Sequence, residues 1–279
     1  MSKKVQIEAE HLNTLLRCPR RYNQKFILNK ESRTVFWSLR NFAAMDAFYD
    51  AVDVASGSVK LLLQAPRQEF IDHCRSNLTF VQLEHTASIP VGYIDKFVQD
   101  FGTYWDNLCV ALKPFEDFSI VTGQELRLTL PDLSEFGIHN QYTMLAKPDF
   151  SLVNEDMNIL STMEFTKKPF KEEQKRFLKF MLYAYYLNTQ EVPDFVGMLY
   201  LSTGKFKFLE KHLYKPEYVV LMKRELLEFM TVYDAGEFPA KVGKYCSECS
   251  YTLGCKEYGK TQSLKNLCFD DEIDWGTKA

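Results

Sequence analysis

Three cysteines near the C-terminus and one near the N-terminus constrain this chain more than any other feature. Cys246, Cys249 and Cys255 stand as Cys-x2-Cys-x5-Cys in a stretch with little regular pattern. Three thiolates on a short loop can bind one metal centre, and a closed site needs a fourth ligand. Cys18, followed by Pro19, is the outstanding candidate, and Cys268 stays open as another. Cys74 and Cys109 lie in apolar helical contexts and read as core residues. A centre shared by Cys18 and the C-terminal loop would tie the first helix to the last segment. Zinc sites more often use two Cys-x2-Cys pairs, so one pair and two singles favour iron–sulfur over zinc. Reduced thiols without metal are the plain alternative.

Composition sets the compartment and the kind of surface. Met1-Ser2-Lys3-Lys4 runs into a mixed polar segment without an apolar core, so no signal peptide is expected. No apolar run approaches the roughly 20 residues that span a bilayer. A cytoplasmic, intracellular protein with no membrane partner is therefore expected, in which cysteines are more often thiols or metal ligands than disulfides. The formal net charge is -3, so any nucleic-acid surface has to be a local basic patch.

Along the chain, Glu8 to Asn29 reads as a helix broken at Cys18, because Pro19 favours a first turn over a helix interior. Val35 to Lys113 reads as helices, with one apolar face on Phe42, Met45, Phe48, Tyr49 and Val52 and another on Ile94, Phe97, Val98, Phe101, Tyr104 and Trp105. These stripes read as core, with no chemistry assigned. Strands follow at Phe118–Thr122 and Gln124–Leu130, then a helix over Phe170–Leu187, strands over Asp194–Leu201 and Lys205–Leu213, and a helix over Pro216–Tyr233. The order implies an α/β fold with a mixed sheet. It divides the chain into a helical region over 1–115, a core over 116–235 and a cysteine segment with a tail over 236–279.

The centre of the pattern is a hairpin. Tyr142 to Val153 reads as one strand and Asn158 to Thr166 as its partner, with Asn154-Glu155-Asp156 as the turn. Residues two apart on a strand share a face, which would group Lys147 with Asp149 and Glu164 with Thr166. Two carboxylates on adjacent strands near a lysine can hold a divalent cation against a phosphate. An ordinary hairpin with acids on its wet side is the competing reading.

Cys18-Pro19-Arg20-Arg21-Tyr22, the Pro148-Asp149 hairpin with its following acid, a tyrosine-rich helix and the terminal Cys-x2-Cys-x5-Cys occur in that order. Together they resemble the iron–sulfur-stapled, RecB-type branch of the PD-(D/E)xK nuclease superfamily, which includes the AddB nuclease domain and the RecB-like exonuclease of CRISPR adaptation modules. The resemblance runs from about Leu12 to Cys255. It implies a restriction-endonuclease-like mixed sheet flanked by helices, with an N-terminal helical region and a stapled C-terminal loop. It also implies a [4Fe–4S] cluster on Cys18, Cys246, Cys249 and Cys255. At the active site it implies Mg2+ or Mn2+ on Asp149, Glu164 and a main-chain carbonyl near Phe165, with Glu125 as an auxiliary acid. The implied activity is hydrolysis of DNA phosphodiesters, at ends or on single strands, in recombination, repair or processing, beside a helicase or recombination partner. The alternative is an inactive protein of the same fold that binds DNA or such a partner.

The sequence departs from that pattern where it matters. The family lysine, two residues after the second acid, is Thr166 here, and Val35 to Val52 lacks the usual histidine. Where the family has Gln-x3-Tyr, this chain has Lys179-Phe180-Met181-Leu182-Tyr183. A lone lysine in an apolar run is costly to bury unless it is paired or reaches water. Lys179 is therefore the expected replacement for the catalytic lysine, with Lys147 and Lys167 as weaker ones. Lys167, Lys168, Lys171, Lys175 and Arg176 form a basic cluster suited to tracking DNA phosphates. Glu172 and Glu173 interrupt it, so an ordinary solvated helix face competes.

Overall fold

The computed structural model describes residues 3–28, 36–84, 89, 92–165, 170, 172–215, 217, 222–243, 246, 249, 251 and 255–257. Two compact units divide the chain. One takes residues 1–9, 33–132 and 140–224, and the other 10–32, 133–139 and 225–279.

The first unit is a mixed α/β structure with two mixed sheets flanked by helices. Strands β1 (Lys4–Ile7), β2 (Ser119–Val121), β3 (Leu126–Thr129), β4 (Gln141–Ala146), β5 (Phe150–Val153), β6 (Asn158–Glu164), β7 (Phe195–Tyr200) and β8 (Lys205–Phe208) form them. The smaller sheet has the order β1-β4-β3 and the larger β2-β5-β6-β7-β8. In the smaller sheet β1 is parallel to β4 and β3 antiparallel to it. In the larger, β6 and β7 are parallel and the other neighbours antiparallel. Residues 142 to 153 are thus two strands rather than one. Proline lacks a backbone donor and is tolerated poorly inside a sheet, so Lys147-Pro148-Asp149 becomes the crossing where the chain leaves one sheet and enters the other. The N-terminal strand β1 has no counterpart in the sequence reading, since four residues beside the chain terminus carry too little pattern.

Helices α3 (Phe36–Val54), α4 (Val59–Leu62), α5 (Arg67–Glu84) and α6 (Ile94–Leu112) pack on one face of the larger sheet. Their core takes Phe150, Leu152, Ile159, Met163, Phe165, Leu199 and Leu201 from that face. The buried side of α3 is Leu39, Ala43, Ala44, Ala47, Phe48 and Val52, while Phe42 is 44% exposed. The helix is rolled relative to the expected stripe because its alanines permit close packing against α5. Strand alternation puts Leu160, Thr162, Glu164, Val196, Met198 and Tyr200 on the opposite face. Helix α7 (Glu172–Thr189) packs on β3, β4 and β7.

The second unit brings the segment after Ala9 together with residues that follow Glu225. Helix α1 (Ala9–Arg17) stops at Cys18, which is extended (φ -160°), and Pro19 opens α2 (Pro19–Tyr22), where its missing N–H costs nothing. Helix α8 (Met222–Ala235) brings Phe229 and Tyr233 against buried Tyr22, and Phe238 stacks on the same ring at 6.1 Å. Backbone and side chain close the seam: Arg20 N–H donates to the Pro239 carbonyl (3.2 Å) and Lys241 Nζ to the Leu16 carbonyl (3.3 Å).

At Gly197 the larger sheet leaves no room for a side chain. A Cβ there would lie 2.6 Å from Phe208 Cδ1, a ring stacked on Phe206 at an interplanar angle of 8°. Gly197→Val is expected to destabilise the protein by about 1–3 kcal/mol, read as a lower urea midpoint at unchanged slope; a midpoint equal to the parent's contradicts this packing.

Candidate functional site

Asp149 sits at the crossing between the sheets, and β6 fixes it there. Thr162 Oγ1 donates to Asp149 Oδ2 at 2.5 Å, and the Met163 N–H donates to the same oxygen at 2.6 Å. Phe150 pairs with Ser161 in the β5–β6 register, so one step further puts Asp149 opposite Thr162. Thr162 and Glu164 are two apart on β6, which sets both acids on one face. Burial pushes the Asp149 carboxyl above the usual carboxylate range, and the two donors only partly oppose it. From α3, the Tyr49 phenol is pushed up by burial and then by the charges of Asp149 and Asp46.

Glu164 ends β6, and its carbonyl accepts from the Leu201 N–H at 2.9 Å. Its carboxylate helps to raise the Tyr104 and Tyr200 hydroxyls, after burial in each case. Tyr200, paired with Glu164 across β6 and β7, has a buried hydroxyl without a hydrogen-bond partner among the described residues. Tyr104, from α6, lies edge-on to the Phe165 ring at 5.4 Å and donates to the Phe165 carbonyl at 3.4 Å. The buried guanidinium of Arg40 covers the Tyr104 ring at 5.4 Å and the Phe97 ring at 5.8 Å. It is held by Asp100 (2.6 Å) and by Asn41 Oδ1 at 3.2 and 3.1 Å.

This arrangement suits a hard, oxygen-seeking divalent cation. A part-buried carboxylate, with both donors on one oxygen, lies on the same face as a second carboxylate and a phenol unpartnered among the described residues. Among the described residues, however, no three or more His, Cys, Asp or Glu side chains form a group able to hold a metal ion. Asp149 and Glu164 alone therefore do not enclose a cation.

The other expected residues fall elsewhere. Glu125 is exposed and its carboxylate is taken by Lys147 (2.6 Å) and Arg127 (3.3 Å), which hold it below the usual range. Lys147 points to that exposed pair and not to Asp149, since the sheet crossing between them removes the two-residue repeat. Lys179 is half-buried on α7 and makes no hydrogen bond or ion pair to Asp149 or Glu164 among the described residues. Lys175 is committed to Glu210 (2.6 Å) and Glu172 (3.8 Å). Thr166, Lys167, Lys168 and Lys171 lie outside the described residues, as does Cys268.

The four thiols expected to act together lie in the second unit, each partly buried and none in a disulfide. Arg20 and Glu257 pair at 3.0 Å, two residues beyond Cys18 and Cys255 respectively, which brings those segments side by side. The Cys246 N–H donates to the Gly243 carbonyl at 2.9 Å and the Cys249 N–H to the Cys246 carbonyl at 3.2 Å. The Gly243 N–H donates to Cys246 Sγ at 3.4 Å, and Cys255 Sγ donates to Glu257 Oε2 at 3.6 Å. Thiols are the donor type of iron–sulfur and zinc centres, but among the described residues no three or more of these sulfurs form a group able to hold a metal ion.

Sequence reasoning missed Arg40, Asp100, Tyr104 and Thr162. Tyr104 was hidden inside an apolar stripe, while Arg40, the one basic residue of α3, and Asp100, one of several charges on α6, carried no pattern that pointed to the site.

No protein-family model matches the chain, and no curated protein does. The crystal structure of SSO0001 is similar to it with a TM-score of 0.38 and 11% identity, over 91% of this chain and 86% of that one. So distant a likeness names neither a fold family nor a function.

Because burial disfavours the charged form of Asp149, Asp149→Asn is expected to stabilise the metal-free protein by about 1 kcal/mol, with the amide oxygen accepting the same two bonds. Urea denaturation in a chelator checks it, and a lower midpoint in the variant refutes it.

Proposed function

We propose that the protein is a Mg2+- or Mn2+-dependent deoxyribonuclease with a RecB-like, restriction-endonuclease-like core, acting on DNA ends or single strands. The observation that carries this reading is Asp149, a part-buried carboxylate held by two donors from β6 on the same face as Glu164. Natural sequences seldom keep a buried charge that only neutral donors compensate unless it is used. Asp149, Glu164 and the Phe165 carbonyl would hold the cation. When bound, the cation would polarise the scissile phosphate and lower the pKa of the attacking water. Thr162 and the Met163 N–H hold Asp149 in place, and Lys179 supplies the positive charge that Thr166 cannot.

The same reading assigns Cys18, Cys246, Cys249 and Cys255 to a structural [4Fe–4S] cluster. The Arg20–Glu257 pair supports it, since it already joins the two segments the cluster would bridge. A cluster there would contribute folding energy at the seam between the chain ends and no chemistry at Asp149.

The second reading is a catalytically inactive protein of this fold that binds DNA or a recombination partner. It is favoured by the absence of contact between Lys179 and either acid among the described residues, and by the commitment of Lys175 to Glu210 and Glu172.

Cleavage of single- and double-stranded DNA with Mn2+ separates the two. Activity that falls by about two orders of magnitude or more in Asp149→Ala and in Glu164→Ala supports the enzyme; DNA binding without cleavage in the wild type supports the inactive reading. Full activity in Lys179→Ala removes that lysine from the mechanism. Anaerobic purification with stoichiometric iron and sulfide, both lost in Cys18→Ser, is the expected result for the cluster, and zinc alone contradicts it.

A further inference from the structure

We infer that Tyr104 is a positioning residue for the divalent cation, through its hydrogen bond to the Phe165 carbonyl. This rests on the proposed reading of Asp149, Glu164 and that carbonyl as the cation's oxygen ligands.

A main-chain carbonyl at the end of a strand has no sheet neighbour to fix its direction, so something else has to aim it. Glu164 is the last residue of β6, and Phe165 follows it. The Phe165 ring is buried in the core while the peptide before it continues the sheet, its carbonyl accepting from the Leu201 N–H. The Phe165 carbonyl is the next one along, and the Tyr104 hydroxyl is its donor at 3.4 Å. A carbonyl oxygen has two lone pairs, so this single long bond can orient it and leave the other lone pair for a cation. The same Tyr104 ring packs edge-on against Phe165, which fixes the residue at both its ring and its carbonyl.

Tyr104 is itself held on its far side. Arg40 lies over its ring, and the guanidinium cannot rotate away, because three of its nitrogens are bonded to Asp100 and Asn41. Those partners come from α3 and α6, so two helices of the core clamp one phenol against the end of β6. A buried cation and its counter-ion are costly unless their bonds are well made, and here their position sets the ring that sets the carbonyl. The residues that orient metal ligands commonly change metal affinity when removed, by about 10- to 100-fold.

Tyr104→Phe removes the hydroxyl alone and keeps both ring contacts. Mn2+ binding is measured on the full chain by electron paramagnetic resonance titration, beside the melting temperature in a chelator. The expected result is an Mn2+ affinity weakened by about tenfold or more, with the metal-free melting temperature within about 2 °C of the wild type. Arg40→Lys, which loses the flat cover over the ring and leaves the hydroxyl present, is expected to weaken Mn2+ binding by less. Affinity unchanged within about twofold in Tyr104→Phe overturns the positioning role while leaving the metal site standing. So does a weakening accompanied by an equal loss of metal-free stability. A wild type that binds no Mn2+ overturns the metal site as well, and Asp149→Ala gives the background against which binding is judged.

Discussion

Two hydrogen bonds on one oxygen of Asp149 carry what is distinctive about the first unit. The chain must leave one sheet and enter another at Pro148, and the residue after the proline is a carboxylate. Left in water, that acid would face outward like Glu125, paired with exposed cations. Instead Thr162 and the Met163 backbone hold it against β6, where burial raises its affinity for a proton. Neutral donors of this kind recover part of the desolvation cost of a carboxylate and not all of it. The residual cost is the reason to look for a cation at this end of the sheet, and the parallel β6–β7 pair delivers Glu164 and the Tyr200 phenol to the same face.

The second unit answers a different physical need. Ends of chains fray unless something ties them down, and here an aromatic seam around Tyr22 joins the first helices to α8. The Arg20–Glu257 pair alone is a weak tie, since partly exposed ion pairs contribute little. Tyr22 and Phe229 are buried in this seam, and the Arg20 backbone N–H and the Lys241 side chain each donate to a carbonyl across it. Cysteines placed two residues from each member of that ion pair occupy ground that is already closed, so a centre there would reinforce a seam rather than create one.

The parts of this structure that periodicity governs were legible in the sequence. The break of the first helix at Cys18, the strand over 195–200 and the helix after Lys171 follow from proline and from the spacing of apolar residues. What the sequence concealed depends on neighbours distant in the chain. The sheet crossing at Pro148 turns one apparent strand into two, because strand alternation does not reveal which partner each half will take. That error carried Lys147 to the wrong side in the reading of the site. Tyr104 looked like one more aromatic in a core stripe, and its hydroxyl gained meaning only when the end of β6 met α6. Asp149 and Glu164 were visible as a pair of acids, but the burial that separates Asp149 from decoration is a property of packing.

The unresolved charge at the site can be argued from the cations themselves. Arg40 is bonded to Asp100, Lys147 to Glu125 and Lys175 to Glu210, so each already has a carboxylate. Lys179 has no carboxylate partner among the described residues. Its stem lies in the apolar helix α7, between buried Leu178 and buried Phe180, and its ammonium must reach either water or an acid. If it reaches the acids only when a phosphate has brought further negative charge to them, a lysine far from its motif position can do a lysine's work at the moment it is needed. If it reaches only water, the oxygen ligands and a divalent cation have to carry the chemistry alone. The aim of the Phe165 carbonyl would then count for more than the identity of residue 166.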